Sequence, residues 1–208
     1  MSSFKEIIRT EEELRVIMGH PTQRAVDKTI AALDEHCRAF IASSPFLLIA
    51  SSDAQGRHDV SPKGDPPGFV QVLDERTLAI PDRPGNRRAD TFANILQQPQ
   101  VALLFFIPGK EDTLRVNGRA QIVRDLALRE HMAVQGKVPD LTLVVEVQEA
   151  FIHCPKCMVR SQLWEPEHWP SLKEVPTMAQ TFVAHAKIDQ PVAEVQASID
   201  QAVKERLY

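Results

Sequence analysis

Three cysteines in 208 residues, Cys37, Cys154 and Cys157, are too few and odd in number for a disulfide framework, so a reducing cytoplasm is the default compartment. No apolar run approaches the roughly 18 residues that span a bilayer. The polar, charged stretch from Met1 to Glu13 is unlike a secretory signal. An excess of positive charge is also missing. The 24 Lys and Arg against 28 Asp and Glu leave a net charge of −4, which removes the electrostatic case for a nucleic-acid or membrane partner. No internal repeat or low-complexity segment is visible. No Ser/His/Asp set stands out either, because Ser51, Ser52, His58 and Asp59 flank a hairpin turn, where such residues serve the turn itself. The seven histidines show no paired metal spacing.

What remains is an ordinary composition, 43% hydrophobic and 25% charged, enough for one core with a helical appendage. Residues 10–43 read as helical, broken near Gly19-His20-Pro21. A restart near Thr22 would carry Val26, Ile30, Leu33, Cys37 and Phe40 on one face over a sheet. Strand patterns follow at Phe46–Ser51, His58–Pro62, Gly68–Leu73, Thr77–Ile80, Val101–Ile107, Thr113–Val123 and Leu141–Ile152. Val101–Ile107 is apolar on both faces and belongs centrally in a sheet. Thr113–Val123 alternates, with Gly118 marking a bulge or a close backbone approach. A short helix is expected over about 126–134 and a last one over about 191–207. Many short strands with hairpin-like links favour an antiparallel barrel over a doubly wound sheet.

The most informative stretch runs from Leu78 to Leu96. It reads as a strand, a Pro84-Gly85 turn and a helix capped by Asn86, with Ala89, Phe92, Ala93 and Leu96 toward the core. Arg87 and Arg88 would then occupy the first turn, where the helix dipole disfavours cations. A bound anion resolves that conflict, since amide N–H groups, dipole and guanidinium forks together suit a phosphate. Neutralisation by Asp82 and Asp90 on a solvated face is the alternative. Cys154-x-x-Cys157 has the spacing of a zinc or redox pair. Zinc needs two further ligands, with Cys37, His168 and His185 as candidates, and a thioredoxin-like dithiol needs a βαβ setting. The expectation is incidental cysteines and no metal.

Four segments, Phe46–Gly56, Val60-Ser61-Pro62-Lys63-Gly64-Asp65, Ile80–Arg88 and Leu114-Arg115-Val116-Asn117-Gly118-Arg119-Ala120, occur in the order seen in one family. Over roughly residues 42–164 the chain resembles the pyridoxamine 5′-phosphate oxidase-like flavoproteins, nearest to a branch distinct from the namesake oxidase. The resemblance implies a mainly β (α+β) fold: an antiparallel split β-barrel of six to seven strands with flanking N- and C-terminal helices. It implies FMN bound between the subunits of a homodimer. The phosphate would fall to Asn86, Arg87 and Arg88, and the flavin edge to Ser61, Pro62 and Lys63. Thr113 and Arg115 lie on a strand that runs along the cofactor in the family, and Trp164 matches an aromatic that approaches the flavin of the other subunit. The organisation expected is 1–43 helical segment, 44–170 FMN-binding barrel and 171–208 helical tail. The implied activity is hydride transfer at the flavin to or from an unidentified small molecule, with no catalytic residue assigned. The alternative is a non-catalytic flavin- or haem-binding module for storage, sensing or detoxification. The tail beyond Trp169 is unrelated to the namesake's Arg/His substrate motif, so the namesake's substrate is not carried over.

Overall fold

The computed structural model describes residues 4–208. Seven strands form one antiparallel sheet: β1 (Phe46–Ser52), β2 (His58–Gly64), β3 (Gln71–Val72), β4 (Thr77–Pro81), β5 (Gln100–Phe106), β6 (Thr113–Val123) and β7 (Thr142–His153). Their order is β2-β1-β5-β6-β7-β4-β3, and the sheet curls into the split barrel. Alternation drives this. Leu47 and Ile49 of β1, Leu103 and Phe105 of β5, and Leu114 and Val116 of β6 are buried in one core, while their neighbours point outward. β5 lies between β1 and β6, the central place its apolar sequence predicts. The β1–β2 turn is fastened by Asp53, whose carboxylate accepts from the backbone N–H of Gln55 and Arg57, both at 2.9 Å. The β6–β7 ladder shifts register at Asn117/Gly118. A Cβ on Gly118 would sit 2.1 Å from the Glu146 carbonyl oxygen, so glycine here serves a close backbone approach.

The helices are α1 (Glu11–Met18), α2 (Gln23–Asp27), α3 (Glu35–Ser43), α4 (Asp90–Gln97), α5 (Leu126–His131), α6 (Lys156–Ser161), α7 (Met178–Ala186) and α8 (Val192–Glu205). The single helix expected after Thr22 is two. Ile30 exchanges backbone hydrogen bonds with Ala150 of β7 and interrupts it. Asp34 then caps a new helix by accepting from the Cys37 N–H at 2.8 Å. Cys37, Phe40 and Ile41 of α3 enter the barrel core. The third strand is shorter than its apolar run predicted, since only Gln71 and Val72 pair with β4. No helix among the described residues is long and apolar enough to cross a membrane.

Candidate functional site

Three segments converge at one corner of the barrel: β2, the chain leaving β4, and the start of α4. β2 turns Asp59, Ser61 and Lys63 partly inward and leaves Val60 and Pro62 exposed. The Asp59 carboxylate accepts from the Ser61 hydroxyl at 2.8 Å and from the Thr91 hydroxyl of α4 at 3.1 Å, tying strand to helix. Lys63 Nζ lies 3.7 Å from the Asp82 carboxylate and 5.6 Å from the centre of the Phe92 ring. Burial pushes the Asp82 carboxyl above its ordinary range, and the Lys63 ammonium pulls against that shift. Arg83 donates to the Asp65 carboxylate at 2.6 Å and to the Met132 carbonyl at 3.0 Å.

The helix start differs from the sequence expectation. Asn86 is not the cap; its side-chain oxygen accepts from the Arg88 N–H at 3.0 Å and makes a local turn. Arg87 and Ala89 then adopt left-handed backbone angles, φ 61° and 57°. Ala89 is the N-cap, with no side-chain cap bond, so Arg87 and Arg88 precede the first turn of α4. The buried face of α4 is Thr91, Phe92 and Ile95, whereas Ala89 and Ala93 are exposed and Leu96 is 78% exposed. Of the expected face only Phe92 is buried, and Thr91 and Ile95 take the places given to Ala89, Ala93 and Leu96. The consequence is chemical. A helix whose first N–H groups lack a side-chain cap, preceded by two arginines, is a start that suits an anion.

Arg88 donates to Asp90 at 2.7 Å, and that hydrogen bond raises its guanidinium pKa further. Arg87 is exposed and makes no ion pair among the described residues. The proposed neutralisation by acids is therefore realised for Arg88 through Asp90, while Asp82 serves Lys63 and Arg83 is taken by Asp65. These residue types fit a phosphate: an uncapped helix start, one unpaired guanidinium and a second held by a single surface carboxylate.

Of the nine site residues expected from sequence, Ser61, Pro62, Lys63, Asn86, Arg87 and Arg88 lie on the segments that form this corner. The other three lie elsewhere in the same chain. Thr113 is buried at the start of β6, and Arg115 stacks on Phe151, 5.3 Å from the ring centre. Trp164 donates to the Lys110 carbonyl at 2.9 Å, in the β5–β6 turn. β6 is three strands from β2, about 14 Å at ordinary strand spacing. Asp59, Asp65, Thr91 and Phe92 carry the wiring of the corner; sequence reading gave Phe92 only a core position and the other three no part in the site. Cys154 and Cys157 are exposed near the start of α6, and Cys37 is buried in the core, where burial pushes its thiol up to about 11.

The family model for pyridoxamine 5′-phosphate oxidase matches residues 33–154, more than half of the chain. Solved structures similar to this chain include HupZ from Group A Streptococcus, 17% identical over 58% of this chain and 93% of that one, TM-score 0.48. An FMN-binding protein from Syntrophomonas wolfei is 13% identical over 69% and 93%, TM-score 0.43. HutZ, the haem storage protein of Vibrio cholerae, is 18% identical over 58% and 94%, TM-score 0.41. No curated protein matched the chain.

Proposed function

The chain belongs to the pyridoxamine 5′-phosphate oxidase family, and from that premise we propose that it is an FMN-dependent oxidoreductase acting on a small molecule as a homodimer. The observation that supports this reading best is the start of α4, which has no side-chain cap and is preceded by Arg87, without an ion pair among the described residues, and Arg88, held by Asp90 alone. Arg87 and Arg88 bind the phosphate through their guanidinium groups, and Asn86 fixes the turn that carries them by accepting from the Arg88 N–H. Lys63 is held beside the flavin edge by Asp82 and the Phe92 ring. Asp59 keeps Ser61 and Thr91 in register with it. When bound, FMN supplies the hydride chemistry at its N5, so this chain needs no dedicated acid–base residue for that transfer. Arg115 and Trp164, remote from this corner in their own protomer, meet the cofactor of the second subunit.

The test is equilibrium titration with FMN and riboflavin, read by flavin absorbance and fluorescence. Each charge-assisted contact contributes on the order of 1.5–3 kcal/mol. The R87A/R88A double variant should therefore bind FMN at least about a hundredfold more weakly, at roughly 1.4 kcal/mol per tenfold. Riboflavin, without the phosphate, should bind the wild type poorly and be indifferent to the substitutions. A folded double variant with unchanged FMN affinity overturns the assignment. A Soret band in place of flavin bands in the purified protein overturns it in favour of a haem module.

A further inference from the structure

Residues 171–208 form a helical hairpin in which α7 and α8 pack on each other, burying Ala179 and Val195. Among the described residues, one hydrogen bond joins this hairpin to the rest of the chain. The Tyr208 hydroxyl donates to the Asp65 carboxylate at 2.6 Å, across 143 positions of sequence. The receiving group is prepared for it. The Asp65 side chain is 1% exposed and also accepts from Arg83, whose guanidinium lies 5.6 Å from the centre of the Tyr208 ring. The hydrogen bond to Asp65 raises the Tyr208 hydroxyl above its ordinary pKa. Asp65 follows β2 by one residue, and Arg83 is the neighbour of Asp82, the partner of Lys63. The tail thus ends its course on the wall of the candidate cofactor corner.

We propose that Tyr208 is a latch that fastens the α7–α8 hairpin as a strap at the rim of the cofactor corner, closing it and slowing exchange of the bound ligand. The second half of this proposal rests on the flavin reading above; the first does not. Among the described residues no ion pair and no second hydrogen bond joins the hairpin to the barrel, so the charge-assisted hydrogen bond with its stacked guanidinium holds the strap docked. Such a docked element belongs to the low-stability end of a fold and opens locally without global unfolding. Ligand exchange through that opening is faster whenever the latch is weakened.

The variant is Tyr208→Phe, which keeps the ring over Arg83 and deletes only the donor. Tyr208→Ala removes both, and neither touches the barrel core. Hydrogen exchange of the full-length protein without FMN should show protection of 178–205 falling by about tenfold or more in Y208F and further in Y208A, the loss expected for one hydrogen bond to a charged group. FMN release, followed by fluorescence after mixing with excess competitor, should accelerate in the same order, with barrel protection unchanged. Unchanged hairpin protection in Y208A overturns the latch. Lost protection with an unchanged FMN release rate overturns the strap's role at the corner. A wild type that binds no flavin overturns the flavin reading instead, and the exchange data still decide the latch.

Discussion

Lys63 stands 3.7 Å from a half-buried carboxylate, Asp82, and over the Phe92 ring, while a flavin or its phosphate would be a further claimant on its charge. The Asp82 carboxyl is pushed up by burial more than Lys63 pulls it down, so the charged form is a net cost to the folded state. The sign follows from linkage. A carboxyl with a raised folded pKa favours folding fully below its unfolded value, near 4, and that contribution is lost as pH rises through the folded value. Asp82→Asn should therefore melt at a higher temperature than wild type at pH 7, with the gain vanishing as the pH approaches about 3. It should also bind FMN several-fold more tightly, because Lys63 loses its competitor. Thermal melts at the two pH values and an FMN titration measure both effects. A variant less stable at pH 7 and no tighter for FMN would show that Asp82 positions Lys63 instead of competing for it. Part of this corner was legible in the sequence. Asn86, Arg87 and Arg88 carry the local oddity of basic residues at a helix start, which shows in any window that contains them, whereas Lys63 was reached only through the family resemblance. Asp65 and Tyr208 were not legible, because a pairing 143 positions apart leaves no mark in local spacing.

At the scale of elements, alternation was the dependable signal. β5 and β6 fell where their patterns put them, with Gly118 at the bulge, because one buried face fixes both period and register. Misplaced features had competing local uses. Asn86 suits either a helix cap or an Asx turn, and the same side chain serves both chemistries, so residue type alone cannot choose. Ile30 fits a helical stripe, yet its backbone pairs with Ala150 of β7, a tertiary bond that overrides the stripe. The bulge offers a sharp test. A Cβ at position 118 would meet the Glu146 carbonyl oxygen at 2.1 Å and its carbonyl carbon at 3.0 Å, both backbone atoms of the partner strand. Nothing flexible is there to give way. Gly118→Ala should cost about 3 kcal/mol or more in denaturant unfolding, at the top of the usual range for overpacking. A loss under about 1 kcal/mol would mean that the β6–β7 ladder relaxes around the bulge far more easily than its close approach implies.

At the scale of the whole molecule, the outward face of the sheet is unlike an ordinary surface. Register lines up Pro62, Leu48, Leu104, Arg115 and Phe151 across five strands, with the Phe46 and Phe106 rings 5.9 Å apart one step along. Val60 is exposed beside them, and the Asn117 side-chain oxygen is buried there without a hydrogen-bond partner. A half-exposed, mostly apolar band interrupted by Arg115, with an unmet acceptor beside it, fits the interface of the homodimer proposed above. The proposed homodimer would also account for the scatter of the site. Arg115 and Trp164 lie on other elements than Arg87, and in the proposed homodimer a twofold contact through this face would carry each set to the other subunit's cofactor, since an isologous interface pairs every residue reciprocally. Sedimentation should therefore find a homodimer whose FMN occupancy falls as dilution drives it to monomers. Leu104→Glu, placing a charge at the centre of the band, should give a folded monomer that binds FMN at least about tenfold more weakly, the scale of one central interface contact. The barrel interior is untouched by that change, because Leu104 faces outward between the buried Leu103 and Phe105. A wild-type monomer holding full flavin, or a monomeric L104E with undiminished FMN affinity, would mean that one barrel closes the site alone and that Arg115 and Trp164 have no part in it.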